Sequence, residues 1–327
     1  MLKLTMKYIT LLGLFFALAI FGLGCRKDVL EIRPYPVTLT ELSLFLKQVP
    51  DPFSTTTFEF NGLNEDEVLV TPNGVRVFLT DVDNLFYNVT SPASIVACSS
   101  CSELKFVVTT AMTKGDILAR ELPTSTTDDM LLESGGMVQL KVYCGTTELQ
   151  ILPGRHIKIQ LPAINAQENM FIHSVITDDH GFRGWKNTGQ EVFKADWNAQ
   201  GSGTQVFGYE LIISQLGWSN CAKPLTQTNV TPFCINLEST YTGLNTLAYL
   251  VFDNQMVVAP LKFDDITHSF CFPNVPAGYP VRVVSVAKLE SAYWLGNTST
   301  ETGTNSSLPL QPQEQAAIDL LDFLRGL

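Results

Sequence analysis

From Thr56 onward the chain alternates apolar and polar residues in short runs. FEFNG, EVLVTPNGVRVFLT, LKFVVTTA, MVQLKVYC, TELQILP and HIKIQLPA are rich in Val, Ile, Phe and Thr, with Gly, Pro and Asn between them. A period of two sends alternate side chains to opposite faces, so each run predicts a half-buried strand. Pro72-Asn73-Gly74 predicts a tight turn, and Asp253-Asn254 between two apolar runs predicts a hairpin. Two segments have a helical period instead. Thr38-Leu39-Thr40-Glu41 has the form of a capping box, and Leu42, Phe45, Leu46 and Val49 then share one face of a short helix that Pro50 and Pro52 end. Near the other end Ala317, Leu320, Leu321, Leu324 and Leu327 share a face, with Pro312 close to the start. That face packs either on its own domain or on another protein, and the pattern leaves both open.

Regular short strands with few helical periods predict a mainly β protein. The expected architecture is tandem antiparallel β-sandwiches with a short N-terminal helix and a C-terminal amphipathic helix. The expected boundaries are a signal segment over 1–24, a tether and short helix over 25–53, and a sandwich over 54–165. A β-rich connecting region over 166–220, a second sandwich over 221–300, and a linker with the last helix over 301–327 complete the chain. The polar stretch GNTSTETGTNSSLPLQPQEQ reads as flexible linker by composition.

Composition narrows the function classes. Among 327 residues, 45% are hydrophobic and 16% charged, which is the balance of an ordered protein with a core and not of a disordered one. The net charge of −11 becomes −13 when Lys3 and Lys7 leave with the first 24 residues. No cluster of Lys or Arg offers phosphates a basic face, so a nucleic-acid role is excluded as an expectation.

The opening segment explains the first cysteine. Lys3 and Lys7 precede an uncharged run of sixteen residues, Tyr8 to Leu23, too short for a comfortable membrane span and suited to the apolar core of a secretory signal. Small Gly24 stands before Cys25, where cleavage would leave a thiol at the new N-terminus. The segment resembles a bacterial lipoprotein signal, although Gly22 and Leu23 occupy the places where that signal usually has Leu and a small residue. The resemblance implies lipid attachment at Cys25 and permanent anchoring through several acyl chains. Lys27-Asp28 is similar to the basic-acidic pair that follows the modified cysteine in surface-displayed lipoproteins of the Bacteroidota. That implies an outer-membrane protein facing outward, the alternative being a periplasm-facing tether.

Cys98, Cys101, Cys144, Cys221, Cys234 and Cys271 remain, an even set for which disulfides are the default outside the cytoplasm. Cys234 with Cys271 is the preferred pair, because FCINLE and HSFCFPNV both read as strands of one domain. Cys98-Ser-Ser-Cys101 has the spacing of a redox pair or half a zinc site. It runs directly into a strand, however, and no second such pair or spaced His pair follows, so structural bridging is favoured.

KGDILARELPTSTTDDMLLESGGMVQLKVYCGTTELQILPGRHIKIQLPA resembles a recurrent β-sandwich module of surface lipoproteins of the Bacteroidota, distantly similar to the domain shared by zona-occludens proteins and netrin receptors. In the same lipoproteins Gly217-Trp218-Ser219-Asn220-Cys221 recurs as Gly-Trp-x-Asn-Cys ahead of a final domain. FCFPNVPAGYPVRVVSVA resembles the carboxypeptidase-regulatory or transthyretin-like sandwich, usually an accessory or adhesive module. Neither resemblance implies catalytic residues. Gly135-Gly136 is expected to turn with positive φ. Ser134 lies in Glu-Ser-Gly-Gly and not in a nucleophile elbow, which excludes it as a nucleophile.

The remaining chemistry is sparse. Trp185, Trp197 and Trp218 could stack on the apolar face of a sugar, or bury their rings between two sandwiches, and burial is favoured. His156, His173, His180 and His268 form no metal spacing; His173 and His180 beside Asp178 and Asp179 fit a surface turn better than a cage. Asp81-Val82-Asp83-Asn84 begins like a calcium loop, but Phe86 and Pro92 stand where Gly and Glu are needed. The expectation is a non-catalytic lipoprotein of binding, adhesion or assembly, with no cofactor and no metal. Its expected partners are the membrane, through the lipid, and an envelope protein or glycan. An envelope hydrolase built on the Trp-rich middle, and a subunit docked through the C-terminal helix, are the alternatives.

Overall fold

The computed structural model describes residues 37–177, 183–199, 203–226, 228–304 and 307–327. In chain order the first region holds helix α1 (Val37–Leu46) and strands β1 (Thr55–Phe60), β2 (Glu67–Val70), β3 (Arg76–Leu79), β4 (Phe86–Asn88), β5 (Ser91–Val96) and β6 (Leu104–Ala111). Helix α2 (Lys114–Ala119) follows, then β7 (Leu132–Cys144), β8 (Thr147–Ile151), β9 (Ile157–Pro162), β10 (Phe171–Thr177), β11 (Arg183–Glu191), β12 (Phe193–Asn198), β13 (Gln205–Ile213) and β14 (Gly217–Pro224). The second region has β15 (Val230–Asn236), β16 (Thr246–Phe252), β17 (Val258–Asp264), β18 (Ser269–Pro276), β19 (Pro280–Leu289), β20 (Ala292–Glu301), β21 (Ser307–Pro309), β22 (Gln313–Gln315) and helix α3 (Ala317–Arg325). Thr38–Leu327 forms one compact unit.

Long strand β7 is the spine of the first sandwich. Its first part pairs with β14, from Pro224↔Leu132 to Gly217↔Leu140, and its second with β6, from Ala111↔Met137 to Leu104↔Cys144. The larger sheet runs β11-β10-β14-β7-β8-β4-β5, with β1 and β6 branching from β7, and the facing sheet runs β12-β13-β9-β3-β2. Phe106, Val138, Leu140 and Val142 on one side meet Val77, Ile159, Leu161, Tyr209 and Leu211 on the other in a shared core. Residues 171–224 therefore supply strands to both sheets, so the stretch expected as a connecting region completes the first sandwich. The Pro72-Asn73-Gly74 turn forms between β2 and β3, with Gly74 at φ 85° and its N–H donating to Thr71 O at 2.9 Å.

The second sandwich depends on one strand that changes partners. β17 pairs with β16 over Val258 to Leu261, then crosses to β18 over Lys262 to Asp264. This crossing joins two layers in the order β21-β15-β18-β17-β16-β19-β20-β22, which enclose Phe233, Ile235, Phe270 and Phe272 against Leu250, Phe252, Val281 and Val283. The stretch expected as flexible linker is corrected here. Gly296–Glu301 continues β20, β21 lies parallel to β15, and β22 pairs with β20. Thr302, fully polar by composition, is buried because its hydroxyl donates to Pro276 O at 2.6 Å and accepts from Tyr279 N–H at 2.9 Å. Hydrogen bonds of this kind let a Ser/Thr-rich segment lie ordered on a sheet edge. Asn305 and Ser306 lie outside the described residues.

A third core fills the space between the sandwiches. Leu42, Phe45, Leu46 and Val49 from α1 and its following turn, Ile117 and Leu118 from α2, and Leu320, Leu321 and Leu324 from α3 pack together. They contact Met137, Trp185 and Ala222 of the first sandwich and Tyr249, Val258, Val284 and Val286 of the second. β16 and β19 are thus covered on both faces, the situation that selects continuous apolar runs such as VRVVSVA over strict alternation. The Thr-Ser segment ahead of β7 stitches the seam with backbone bonds. Thr124 N–H donates to Val258 O and Val258 N–H to Thr124 Oγ1, both at 2.8 Å, while Trp185 N–H donates to Ser125 O at 3.1 Å.

The start of α1 differs from expectation, and the packing of α3 answers an open question. α1 begins at Val37, so Thr38 lies inside the helix and not at its cap, and Glu41 instead pairs across the seam with Lys288. The apolar face of α3 docks on its own chain, which resolves the choice left open by its pattern. Arg325 at its end donates from Nε to Val49 O at 3.2 Å and from Nη2 to Gln48 O at 2.9 Å, tying the last helix to the turn after the first.

The α2–α3 contact needs a missing side chain. A Cβ on Gly115 would sit 2.2 Å from Leu324 O. Within a helix Gly→Ala ordinarily stabilises by about 1 kcal/mol. Here Gly115→Ala is expected to destabilise by about 1–3 kcal/mol, because α3 must move off its seat. Urea unfolding with intrinsic fluorescence checks the sign.

Candidate functional site

The cysteines separate into two kinds. Cys234 bonds Cys271, opposite one another on β15 and β18, and Cys101 bonds Cys144 where β6 meets β7. Cys98 and Cys221 remain buried thiols, which corrects the expectation that the even set is fully bridged. Cys221 lies opposite Gly136 on β7, whereas Cys98 sits in the turn leading to Cys101, whose partner is Cys144. Gly136 and Cys144 are eight residues apart on one strand, roughly 26 Å, far beyond the roughly 7 Å that a bridge tolerates between α-carbons. Burial, with Asp83 nearby as the lesser cause, pushes the Cys98 thiol up to about 12. Burial likewise pushes Cys221 far up. Cys25 lies outside the described residues.

The tryptophans are mostly interior. Trp185 is 1% exposed, with its Nε1–H donating to Pro123 O at 2.8 Å, and Trp197 is 8% exposed, its ring over Gly208. Trp218 is half-buried, with the Arg120 guanidinium 5.9 Å from its ring. Two of the three aromatics nominated for ligand contact are therefore core residues, and the three do not make a platform.

The Ser134 and Asn220 motifs meet. The Ser134 hydroxyl donates to Asn220 Oδ1 at 2.7 Å and accepts from Gly136 N–H at 3.1 Å, and both side chains are buried. Of the glycine pair only Gly136 has positive φ, at 126°, and both lie within β7 rather than in a turn ahead of it; Gly135 leaves room for Tyr209, whose ring carbon would lie 2.6 Å from an added Cβ. His173, buried opposite Asn220, has its imidazole pushed down by burial, and its Nδ1 lies 3.1 Å from Phe171 O. His156 is exposed, and His180, Asp178 and Asp179 lie outside the described residues. Asp83 caps the Cys98 turn by accepting from Ser99 N–H at 3.0 Å and Ser99 Oγ at 2.7 Å, while Asp81 pairs with Arg155 at 2.8 Å. Among the described residues no group of three His, Cys, Asp or Glu side chains is placed to hold a metal ion.

A cleft that no motif announces opens in the second sandwich where β17 leaves β16. It has a volume of about 700 Å³, within the usual range for small-ligand sites. One wall is Leu247 and Tyr249 of β16; the other is Pro260, Lys262 and Phe263 of β17. The Thr242–Leu244 loop closes one end, with Gly243 against Phe263, where an added Cβ would lie 3.0 Å from the Phe263 Cβ. Glu121 and Pro123 close the other, Glu121 in a left-handed conformation at φ 52° that aims the segment back toward the sheet. Burial, with the Glu121 charge as the lesser cause, pushes the Tyr249 hydroxyl far above its usual value. Lys262 pairs with Asp129 at 2.9 Å. The signal for this cleft in the sequence is indirect: Pro260 in mid-strand marks a residue that cannot donate to a ladder.

Scans of the chain against protein-family models, curated proteins and solved structures return no match. No helix among the described residues is long and apolar enough to cross a membrane.

Three outcomes test these placements. Alkylation of the native protein near pH 8 is expected to spare Cys98, whose thiol is buried and held well above its usual value by that burial. Alkylation after unfolding without reductant is expected to label Cys98 and Cys221 and to leave Cys101, Cys144, Cys234 and Cys271 unlabelled in peptide maps. Ser134→Ala removes the partner of a buried amide oxygen, and a loss of about 1–3 kcal/mol in urea unfolding is expected.

Proposed function

We propose that the protein is a lipid-anchored lipoprotein of the outer membrane, displayed outward, that works as a non-catalytic binding module. The observation that carries the binding part is where the chain commits its reactive groups. Ser134, Asn220, His173, Cys98 and Cys221 are spent inside cores, while the cleft between β16 and β17 is open and walled by side chains fixed on strands. Strand-borne walls hold their geometry better than loops do, which suits recognition of a ligand by a preformed surface. The anchoring part rests on the apolar run ending at Gly24-Cys25, and the outward display on Lys27-Asp28. A scaffold in which two sandwiches share one helical core presents its surfaces as a single body at the end of a tether.

Labelling of growing cells with a fatty-acid analogue tests the anchor. The full-length protein is expected in the membrane fraction with lipid on Cys25, and protease added to intact cells is expected to remove it. Cys25→Ala is expected to lose the label and appear in the soluble fraction. Retention of that variant in the membrane overturns the anchor, and survival of the wild-type protein under protease overturns outward display.

A further inference from the structure

The cleft between β16 and β17 combines three features that converge on one ligand chemistry. Glu121 lines it with a carboxylate that has no ion-pair partner among the described residues. Tyr249 also lines it and is 4% exposed, and its hydroxyl makes no hydrogen bond among the described residues. Glu121 and Tyr249 both line this cleft, Glu121 at one end and Tyr249 on the β16 wall. The Tyr249 hydroxyl oxygen is not sealed inside the core, so a polar group bound in the cleft can reach it and hydrogen-bond to it. Leu247, Pro260 and Phe263 supply apolar wall, and Thr242 and Thr246 add hydroxyls.

The charge at the cleft has one sign left over. Lys262 is met by Asp129, and Asp265 adds a second carboxylate at the mouth. His268 also lines the cleft, edge-on to Phe263 at 6.1 Å between ring centroids. In a chain of net charge −11, a concave site with an unpaired carboxylate concentrates cations.

We propose that this cleft binds a ligand carrying an ammonium group on a compact apolar body. The Glu121 carboxylate and the Tyr249 oxygen accept from the ammonium, and Leu247, Pro260 and Phe263 cover the body. This reading rests on the cleft being the binding site of the module and names the class of ligand it takes.

The test uses benzylamine and its uncharged analogue benzyl alcohol as probes, titrated into the purified mature protein near pH 8 and followed by amide chemical shifts. Benzylamine is expected to shift amides of β16 and β17 and to bind about tenfold more tightly than benzyl alcohol. Glu121→Gln, at a half-exposed position, is expected to keep the melting temperature and to remove that tenfold preference. Tyr249→Phe is expected to weaken benzylamine several-fold and leave benzyl alcohol unchanged. Equal binding of the two probes by the wild-type protein, or an undiminished preference in Glu121→Gln, overturns the ammonium assignment and leaves the binding cleft standing. Failure of both probes to shift β16 and β17 overturns the cleft as a site as well.

Discussion

Two sandwiches joined end to end ordinarily leave a wedge between them, and the sheets that border it must be either polar or covered. In this protein the borders are apolar: Tyr249, Val258, Val284 and Val286 on one side, Met137, Trp185 and Ala222 on the other. Three helices drawn from far-separated parts of the chain fill the wedge. α1 comes from its beginning, α2 from between β6 and β7, and α3 from its end, so none of the three has a folded context without the others. The burial of this third core makes the two sandwiches a single body, because each supplies a wall that the other cannot do without.

From that constraint the rest of the geometry follows. Covering the outer face of β16 and β19 makes them interior strands, and only a strand that leaves its neighbour can then open a cavity beside them. β17 does so between Leu261 and Lys262, where it exchanges β16 for β18. Lys114 of α2 holds the hairpin that precedes the exchange, its Nζ donating to Asp253 O at 2.8 Å, while the segment after α2 carries Glu121 to the far end of the cleft. The seam and the cleft thus share parts, and the helix that closes one positions the carboxylate of the other.

Much of the architecture is legible in residue order, because a period of two is a property of single strands. The first strands, the Pro72-Asn73-Gly74 turn, the Asp253-Asn254 hairpin and the apolar faces of both terminal helices are all local signals, and the mainly β fold with its helices follows from them. What is illegible is non-local. Residues 171–224 extend both sheets of the first sandwich because of which strands they meet, and nothing in FIHSVIT or VFGYELII names β14 or β9 as neighbour. GNTSTETGTNSSLPLQPQEQ has the composition of a linker yet lies on sheet edges, since Thr302 finds Pro276 O and Leu310 enters the core. The cysteines show the same division: Cys234 and Cys271 are on recognisable strands of one domain, whereas the separation of Cys98 from Cys221 depends on the register of β7. Of the candidate site, Tyr249 reads in sequence as one more core aromatic, and Glu121 as one more surface acid; only the crossing of β17 puts them together.

The grip of Arg325 on the carbonyls of Gln48 and Val49 bears on how the molecule responds to force. Among the described residues, a pull applied at Val37 reaches α1 before any strand. To yield, α1 has to slide out of a packed core against α3 and the seam, a shearing motion that breaks many contacts at once. The first strand beyond it, β1, pairs only with β6 among the described residues and would otherwise unzip from the sheet one bond at a time. The last helix of the chain acts as a latch on the first, and it spares an exposed sheet edge from bearing the load.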